Sequence, residues 1–441
     1  MIPAKFQNRH FYHFTHVDNI ESILDNGLIS TNEKYKKEIN HVNVANQGIQ
    51  ERRSSTQVPC APHGNIHDYV PFYFAATNPM LLSVLNSKNV DQIDIVYIVL
   101  KISKLSNDNV VFTDASVNTK VIPNFFNDPQ HLDRLNWNLI DSKKWKTPSK
   151  DELHARMAEV LVHKEVPLDW IESFVVFNKT SKKKIKKLLE ERDLEKPKIE
   201  YEPYDINLFF TKVFFEGRKN ESLITGPRML KDEYHEVIDS VIEDRATNTI
   251  ANPSFQTVKD ALQKIRSNFC VIPELEGINN LETKNDVHSN KVCEHTKDVV
   301  NQLVSIDHYD KLTKDDKLIV KLAAYFHDIG KGPKSKWRDG IQPVYADHPA
   351  DSLKMLHRIL VNEFETLLVN EIKSICLLVA YHDLIGDIIG KGRSEKELRD
   401  LKLTKRELNM LIAISLADIK SISNYWYSKV KESIPQLIDS L

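Results

Sequence analysis

The sequence predicts an α+β domain followed by an all-α domain. Short strand-like apolar runs dominate up to about residue 209, helical periodicity takes over from about residue 255, and the stretch between them carries Gly, Pro and polar punctuation. These textures divide the chain into 1–209, a connector at 210–255 built around a helix near 229–243, and 256–441. In the first part "FYHFT" (11–15), "VPFYFA" (70–75), "IDIVYIVLKI" (93–102), "NVVFT" (109–113), "AEVLV" (158–162) and "SFVVF" (173–177) read as strands. A helix falls between the first two, starting near Asp18 and closed by Gly27. "KTSKKKIKKLLEER" (179–192) is amphipathic, with Ile185, Leu188 and Leu189 on one face and lysines on the other. In the last part "HTKDVVNQLVSI", "KLIVKLAAYFHDI", "SLKMLHRILVNEF", "EIKSICLLVAYHDL" and "LNMLIAISLADIKSI" place apolar residues at i, i+3 and i+4, the stripe of a packed helix.

Composition sets the outer bounds. The 441 residues, 41% of them hydrophobic, suffice for two or three cores. A formal charge of −2 excludes a generally basic surface, so any nucleic-acid contact must come from a local patch. Cys60, Cys270, Cys293 and Cys376 show no C-x-x-C spacing, which points to reduced thiols used as small core residues and excludes a thiolate zinc site. The N-terminus lacks the apolar region of a signal peptide and no apolar run is long enough to span a bilayer, so the expectation is a soluble, cytoplasmic protein without membrane contact.

One residue resists this reading. Glu159 stands inside the apolar, β-branched run 158–162, where an unpaired buried carboxylate is costly. Either it faces solvent or a cation on an edge strand, or it lines a cleft that uses its charge.

The last part of the chain holds the most specific pattern. His295, then His327-Asp328, then His348, His382 and Asp418 recur at the ends of successive apolar helices. Imidazole and carboxylate are ligands of divalent metals, and antiparallel helices can bring them to one point. Any one of these alone reads as a capping or core residue. Their order, H…HD…H…H…D, resembles the HD-domain metal-dependent phosphohydrolases. With "VCEHT", "YFHDIGKG", "DHPADSL", "VAYHDL" and "LADIKS" the wording is most similar to HD domains found with tRNA nucleotidyltransferases, over roughly 256–441. The resemblance implies that His295, His327, Asp328 and Asp418 hold one ion and that His348 and His382 complete a second site, with Asp328 bridging. Manganese, iron, zinc and magnesium all suit such ligands, and the implied chemistry is attack of metal-activated water on a phosphoester. Lys331 reads as a phosphate contact or, with more weight, as a solvated lysine; a metal-stabilised scaffold without turnover is the bland reading of the whole domain.

The first part also resembles a family. "FYHFTHVDNIESILDNGLIS", "IQERRSSTQVP", "HDYVPFYFAATNPML" and the Glu159 strand are similar, in order and wording, to the DarT-type ADP-ribosyltransferases, toxins that transfer ADP-ribose from NAD to bases of single-stranded DNA; the similarity spans about 8–209. It implies an ADP-ribosyltransferase fold ahead of an HD-domain helical bundle. By that resemblance His13 contacts the NAD ribose, Thr15 and Met80 belong to the NAD site, Tyr73 flanks the nicotinamide, Glu159 is the catalytic glutamate and Arg53 the essential arginine. The chemistry needs these types: a carboxylate stabilises oxocarbenium character as the nicotinamide bond breaks and takes a proton from the attacking base, while an arginine neutralises the pyrophosphate or developing charge. A core histidine, a packed tyrosine and a surface salt bridge are the bland readings.

This chain departs from the family in two places. Where the family commonly reads P-R-S-P-M-L, residues 76–81 read A-T-N-P-M-L, so a basic side chain is missing. The loop 115–150, which in the family presents the target base, offers no match to a base-reading histidine, leaving the base open. Phe125, Phe126 and Trp137 near Arg134 and Lys120 suit base stacking beside phosphate contacts, though core packing is the plainer role for most of the rings. Lys183 and Lys186 are candidate phosphate contacts, against a solvated helix face.

The expectation is therefore an NAD-dependent transferase acting on single-stranded DNA, fused to an HD phosphohydrolase that restrains the transferase or processes its product. The alternative makes the HD domain a nucleotide-sensing module and the transferase a modifier of RNA or protein. A separate antitoxin is the partner such toxins usually have, and none is visible in this chain.

Overall fold

The computed structural model describes residues 1–44, 53–118, 121–144, 147, 149–202, 206–212, 218–247, 251–284, 290–337 and 339–441. It divides into two compact units, one holding most of residues 1–212 and the other residues 223–441. Lys120 lies outside the described residues.

The first unit is built on an eight-stranded sheet: β1 His10–His16, β2 Tyr69–Tyr73, β3 Ile95–Lys101, β4 Val110–Thr113, β5 Phe125–Phe126, β6 Glu159–His163, β7 Ile171–Val176 and β8 Lys198–Tyr201. All six strands expected from the apolar runs are among them; β5 and β8 are additional. The order is β8-β7-β3-β1-β2-β6-β4-β5, antiparallel except between β8 and β7. One face packs Phe11, Phe72, Ile98, Phe112, Val160 and Phe174 beneath two helices, α1 Ile20–Asn26 and, further along the chain after α2 Pro79–Asn86, α3 Lys179–Glu190. Strand alternation puts these side chains together. Helix α1 ends at Gly27, whose φ of 75° favours a residue without a side chain. Helix α3 buries Ser181, Ile185, Leu188 and Leu189, as its apolar stripe requires.

One irregularity in the sheet matters for function. β1 pairs with β3 along all seven residues, but with β2 at Tyr12↔Tyr73 alone. The strands part beyond that pair. Glu159, opposite Tyr73, sits on a strand flanked by β2 and β4, so it belongs to the interior of the sheet and not to an edge.

The second unit is helical: α4 Pro227–Thr247, α5 Val292–Gln302, α6 Lys314–Phe326, α7 His348–Asn362, α8 Val369–Tyr381, α9 Lys405–Ile422 and α10 Asn424–Asp439, with shorter helices between. The helix expected inside the connector is α4, and its Leu230, Val237, Ile238 and Val241 belong to the same core as α7 and α8. A parallel pair, Glu282–Lys284 with Ile341–Pro343, interrupts the helical pattern; three-residue strands carry too little periodicity to be read from sequence. All four cysteines are free, Cys293 and Cys376 buried and Cys60 and Cys270 half-buried. Among the described residues no helix is long and apolar enough to cross a membrane.

Candidate functional site

Beyond the Tyr12↔Tyr73 pair the parting strands border a cavity of ≈ 240 Å³, lined among others by His13, Thr15, Asn19, Arg53, Tyr73 and Met80. The Nδ1–H of His13 donates to the Pro71 carbonyl at 2.7 Å. Burial holds the His13 pKa down to about 4, more than that hydrogen bond and with help from the charge of Lys34. At neutral pH the ring is therefore uncharged and turns Nε2 outward as an acceptor. Thr15 Oγ1 accepts from Asn19 at 2.9 Å, and Asn19 also exchanges two hydrogen bonds with the Val42 backbone, at 2.7 and 2.9 Å, pinning that segment beside the cavity. Tyr73 stacks on Phe14, ring centroids 6.3 Å apart; burial, reinforced by the Glu159 charge, pushes its phenol pKa up. The Met80 N–H donates to Asn78 Oδ1 at 2.8 Å at the start of α2.

Glu159 is fully buried and paired with Arg53, Nη1 lying 3.0 Å from Oε2 and 3.3 Å from Oε1. Its Oε1 also accepts from the Val117 N–H at 2.9 Å and the Ser116 hydroxyl at 3.2 Å. This answers the question of the carboxylate in an apolar strand: its charge is held by a buried guanidinium and two donors, the satisfaction an interior ion requires. Arg53 is itself buried, and its Nη2 has no hydrogen-bond partner among the described residues. Ser116 and Val117 carried no signal in the sequence, since a serine just past a strand is an ordinary turn residue.

In the second unit the six candidate ligands come from five helices. His295 lies in the first turns of α5 and Asp418 in the later part of α9, so these two stand within helices and not at their ends. His327 and Asp328 follow α6, His348 opens α7 and His382 follows α8. Two groups form, His295 with His327 and Asp328, and Asp328 with His348 and His382, each with its ligand atoms within 4.8 Å of one another. Asp328 belongs to both: its Oδ2 lies 3.5 Å from His295 Nε2 and 3.4 Å from His327 Nε2, its Oδ1 3.3 Å from His348 Nε2. Asp418 Oδ1 is 3.0 Å from His295 Nε2. Every imidazole is anchored through Nδ1: His327 to the Ala324 carbonyl, His348 to that of Tyr345, His382 to that of Val379, and His295 to Ser421 Oγ. All four Nε2 atoms are thus turned inward, as metal-ligating histidines are oriented.

A cation fits this centre. His327 Nε2 and Asp328 Oδ1 are buried without hydrogen-bond partners among the described residues, and the Nε2 atoms of His348 and His382 face each other at 3.1 Å. Burial opposes the charge on Asp328, yet His327 and Lys331 outweigh it and hold its pKa well below the usual carboxylate range. Burial, with the Lys331 charge, keeps His348 far below its ordinary value. Lys331 is not the solvated lysine weighed above: Nζ lies 2.6 Å from Asp328 Oδ2. Ser352 ties the arrangement together, accepting from the Gly330 N–H at 2.8 Å and donating to the His327 carbonyl at 2.8 Å. A Cβ on Gly330 would stand 2.3 Å from the His348 carbonyl oxygen and 2.4 Å from the Ser352 nitrogen. Gly330→Ala is therefore expected to destabilise the second unit by about 3 kcal/mol or more, read as a lowered thermal midpoint with reduced metal content.

The nucleic-acid candidates are not brought together. Lys183 and Lys186 are exposed on α3, which packs on β7 and β8 toward one edge of the sheet, and Lys186 lies 3.4 Å from Glu190. Arg134 lies over the ring of Phe126, 5.7 Å from its centroid, on β5 at the other edge. Phe126 packs in the core, Trp137 is half-buried against it, and Phe125 packs against Val111, Val117 and Leu161.

The family model described as ssDNA thymidine ADP-ribosyltransferase, DarT, matches residues 12–210, and the HD domain model matches 292–419. A DNA ADP-ribosyl transferase of Thermus aquaticus is 31% identical over 195 residues, 43% of this chain and 84% of that protein. A DNA ADP-ribosyl transferase-DNA ADP-ribosyl glycohydrolase fusion protein of Thermosipho africanus is 27% identical over 194 residues, 42% of this chain and 47% of that protein. Among solved structures, Thermus sp. 2.9 DarT in complex with ADP-ribosylated ssDNA is similar at 28% identity over 46% of this chain and 97% of that one, with a TM-score of 0.41. With a relative of this identity matched over most of its length, the chain belongs to the DarT family of DNA ADP-ribosyltransferases and carries an HD domain behind the transferase.

Proposed function

We infer that the first unit transfers ADP-ribose from NAD to a base of single-stranded DNA, and that Glu159 and Arg53 are the residues that carry the chemistry. The observation behind this is the buried Arg53–Glu159 pair beside a cavity that also presents His13, Thr15, Tyr73 and Met80. Such a pair sets a fixed counter-ion and donors around a carboxylate where water is scarce, the kind of preorganised site that stabilises a positively charged transition state. In the transfer the ribose–nicotinamide bond breaks, nicotinamide leaves with the electron pair, and the base nitrogen bonds to the ribose carbon. Glu159 offsets the oxocarbenium charge and receives the proton that the base gives up. His13, held neutral, accepts from a ribose hydroxyl through Nε2 while Nδ1 stays on Pro71. Tyr73 presents an aromatic face to the nicotinamide. The family's description names thymidine as its acceptor. Incubating the protein with NAD and short oligonucleotides of each base, followed by mass spectrometry, tests the reading: one added ADP-ribosyl group on a single-stranded oligonucleotide is expected, and none on any oligonucleotide would refute it.

The contacts to DNA can be separated by charge. Lys183, Lys186 and Arg134 are assigned here to the phosphate backbone, from two edges of the sheet. Oligonucleotide affinity should then fall steeply with salt, and Arg134→Glu or the Lys183→Glu/Lys186→Glu pair should each flatten the salt slope by about one per contact removed. Duplex DNA should compete poorly, because the acceptor base must be unpaired to reach Glu159. Salt-independent binding, or equal use of duplex, would remove this assignment.

For the second unit we propose a metal-dependent phosphohydrolase holding two divalent ions, one on His295, His327, Asp328 and Asp418 and one on Asp328, His348 and His382. Bound ions supply Lewis acidity and a strong nucleophile from water at neutral pH. The chain's own residues orient the ligands through their Nδ1 anchors, and Lys331 compensates the charge of Asp328. The relative from Thermosipho africanus joins its transferase to an enzyme named for acting on ADP-ribosyl DNA. The same logic supports an HD unit that restrains the transferase or processes its product in cis, as an antitoxin would.

A further inference from the structure

We propose that Lys34 is the residue that binds the pyrophosphate of NAD, an assignment that rests on the reading of the cleft as an NAD site. Among the described residues the cavity wall contains no Asp or Glu, and its lysine and arginine are Lys34 and Arg53. Arg53 is occupied: its Nη1 lies against both oxygens of Glu159, so its charge is already balanced within the protein. Lys34 is not. It is half-buried, and among the described residues no carboxylate lies within 4.0 Å of its ammonium. Burial lowers its pKa, and its charge adds to the burial that depresses His13 and His41, which line the same cavity. An unpaired half-buried cation is unfavourable unless a ligand brings the counter-charge.

The position of Lys34 is built, not incidental. It lies in the short helix Thr31–Lys36, whose start is capped by Ser30 Oγ at 3.3 Å from the Glu33 nitrogen. Asn32 Nδ2 ties that helix to Asp68 Oδ1 at 2.8 Å, and the Ile39 nitrogen bonds the Lys34 carbonyl at 3.0 Å. The backbone carrying Lys34 is therefore held on two sides, with Lys34 on the cavity wall. A dianionic pyrophosphate is the part of NAD that such a cation fits, since the remainder of the molecule offers neutral hydroxyls and rings and one positive nicotinamide. Arg53 then serves Glu159 and the reacting ribose, and the two cations divide the work that a single arginine was expected to do.

Titration calorimetry of the full chain with NAD, ADP-ribose and adenosine tests this. Lys34→Gln should weaken NAD and ADP-ribose by about 10- to 100-fold, the loss of one charge-assisted contact, while adenosine, which has no phosphate, binds as to wild type. Lys34→Arg should restore most of the affinity. In transfer assays the variant should raise KM for NAD and leave kcat within a few-fold. Unchanged affinity of Lys34→Gln for ADP-ribose would overturn the proposal, and so would an equal loss of adenosine binding, which would mark a deformed wall. A wild-type protein that binds none of the three would refute the NAD reading itself, and that result is visible before any variant is made.

Discussion

Glu159→Gln is expected to reduce ADP-ribose transfer to single-stranded DNA by at least about a hundredfold, the usual loss when a preorganised transition-state contact is removed. The amide keeps an oxygen that can accept from the Val117 N–H and the Ser116 hydroxyl, so the local hydrogen bonds survive in part. It lacks the negative charge that stabilises the oxocarbenium and the basicity that receives the acceptor's proton. Glu159→Ala is the harsher change. It would leave the Arg53 guanidinium buried without its counter-ion, and breaking a buried pair in that way typically costs about 3–5 kcal/mol. The amide variant is therefore the cleaner test, read by mass spectrometry of the modified oligonucleotide with thermal unfolding as the control. Transfer at the wild-type rate by a folded Glu159→Gln protein would end the catalytic assignment. If expression of the wild-type chain is toxic, the variant should be tolerated.

The parts of this molecule that could be read from sequence are those set by short-range periodicity. The run around Glu159 announced a buried strand because β-branched residues occupied both faces, and α5 to α9 announced themselves by their apolar stripes. The contact that explains Glu159 could not be read the same way, since Arg53 lies 106 residues away and no local pattern links them. Helix α4 looked like part of a connector because its flanks are polar, yet its apolar stripe joins the core of the second unit. Lys331 reads as solvated from its residue type alone; the tight turn Ile329–Lys331 instead brings its ammonium back onto Asp328, three residues earlier. Lys183, Lys186 and Arg134 read separately as candidate phosphate contacts because charge in a sequence has no direction, and the strand order sets them at different edges of the sheet.

Asp328→Ala is expected to remove both metal ions from the HD unit, whereas His382→Ala should remove mainly one. The reason is the way the carboxylate is shared: one oxygen faces His295 and His327, the other faces His348. Without it the first group keeps two imidazoles and Asp418, and the second keeps two imidazoles alone, too few for a hard divalent ion in competition with water. Elemental analysis of the purified proteins should give close to two ions per wild-type chain, one for His382→Ala and none for Asp328→Ala. Absence of stoichiometric metal in the wild type, or undiminished metal in Asp328→Ala, would remove the bridging role. The substitution also leaves Lys331 without its carboxylate, but that side chain is partly exposed and can turn to water, so a fold-wide loss is not expected. Transfer activity in the same variant then separates the two ways of joining the units' functions. If the HD unit restrains the transferase or consumes its product, modified oligonucleotide should accumulate at least as fast as with wild type. A loss of transfer with folding intact would instead mean that the occupied centre activates the transferase, the behaviour of a sensing module.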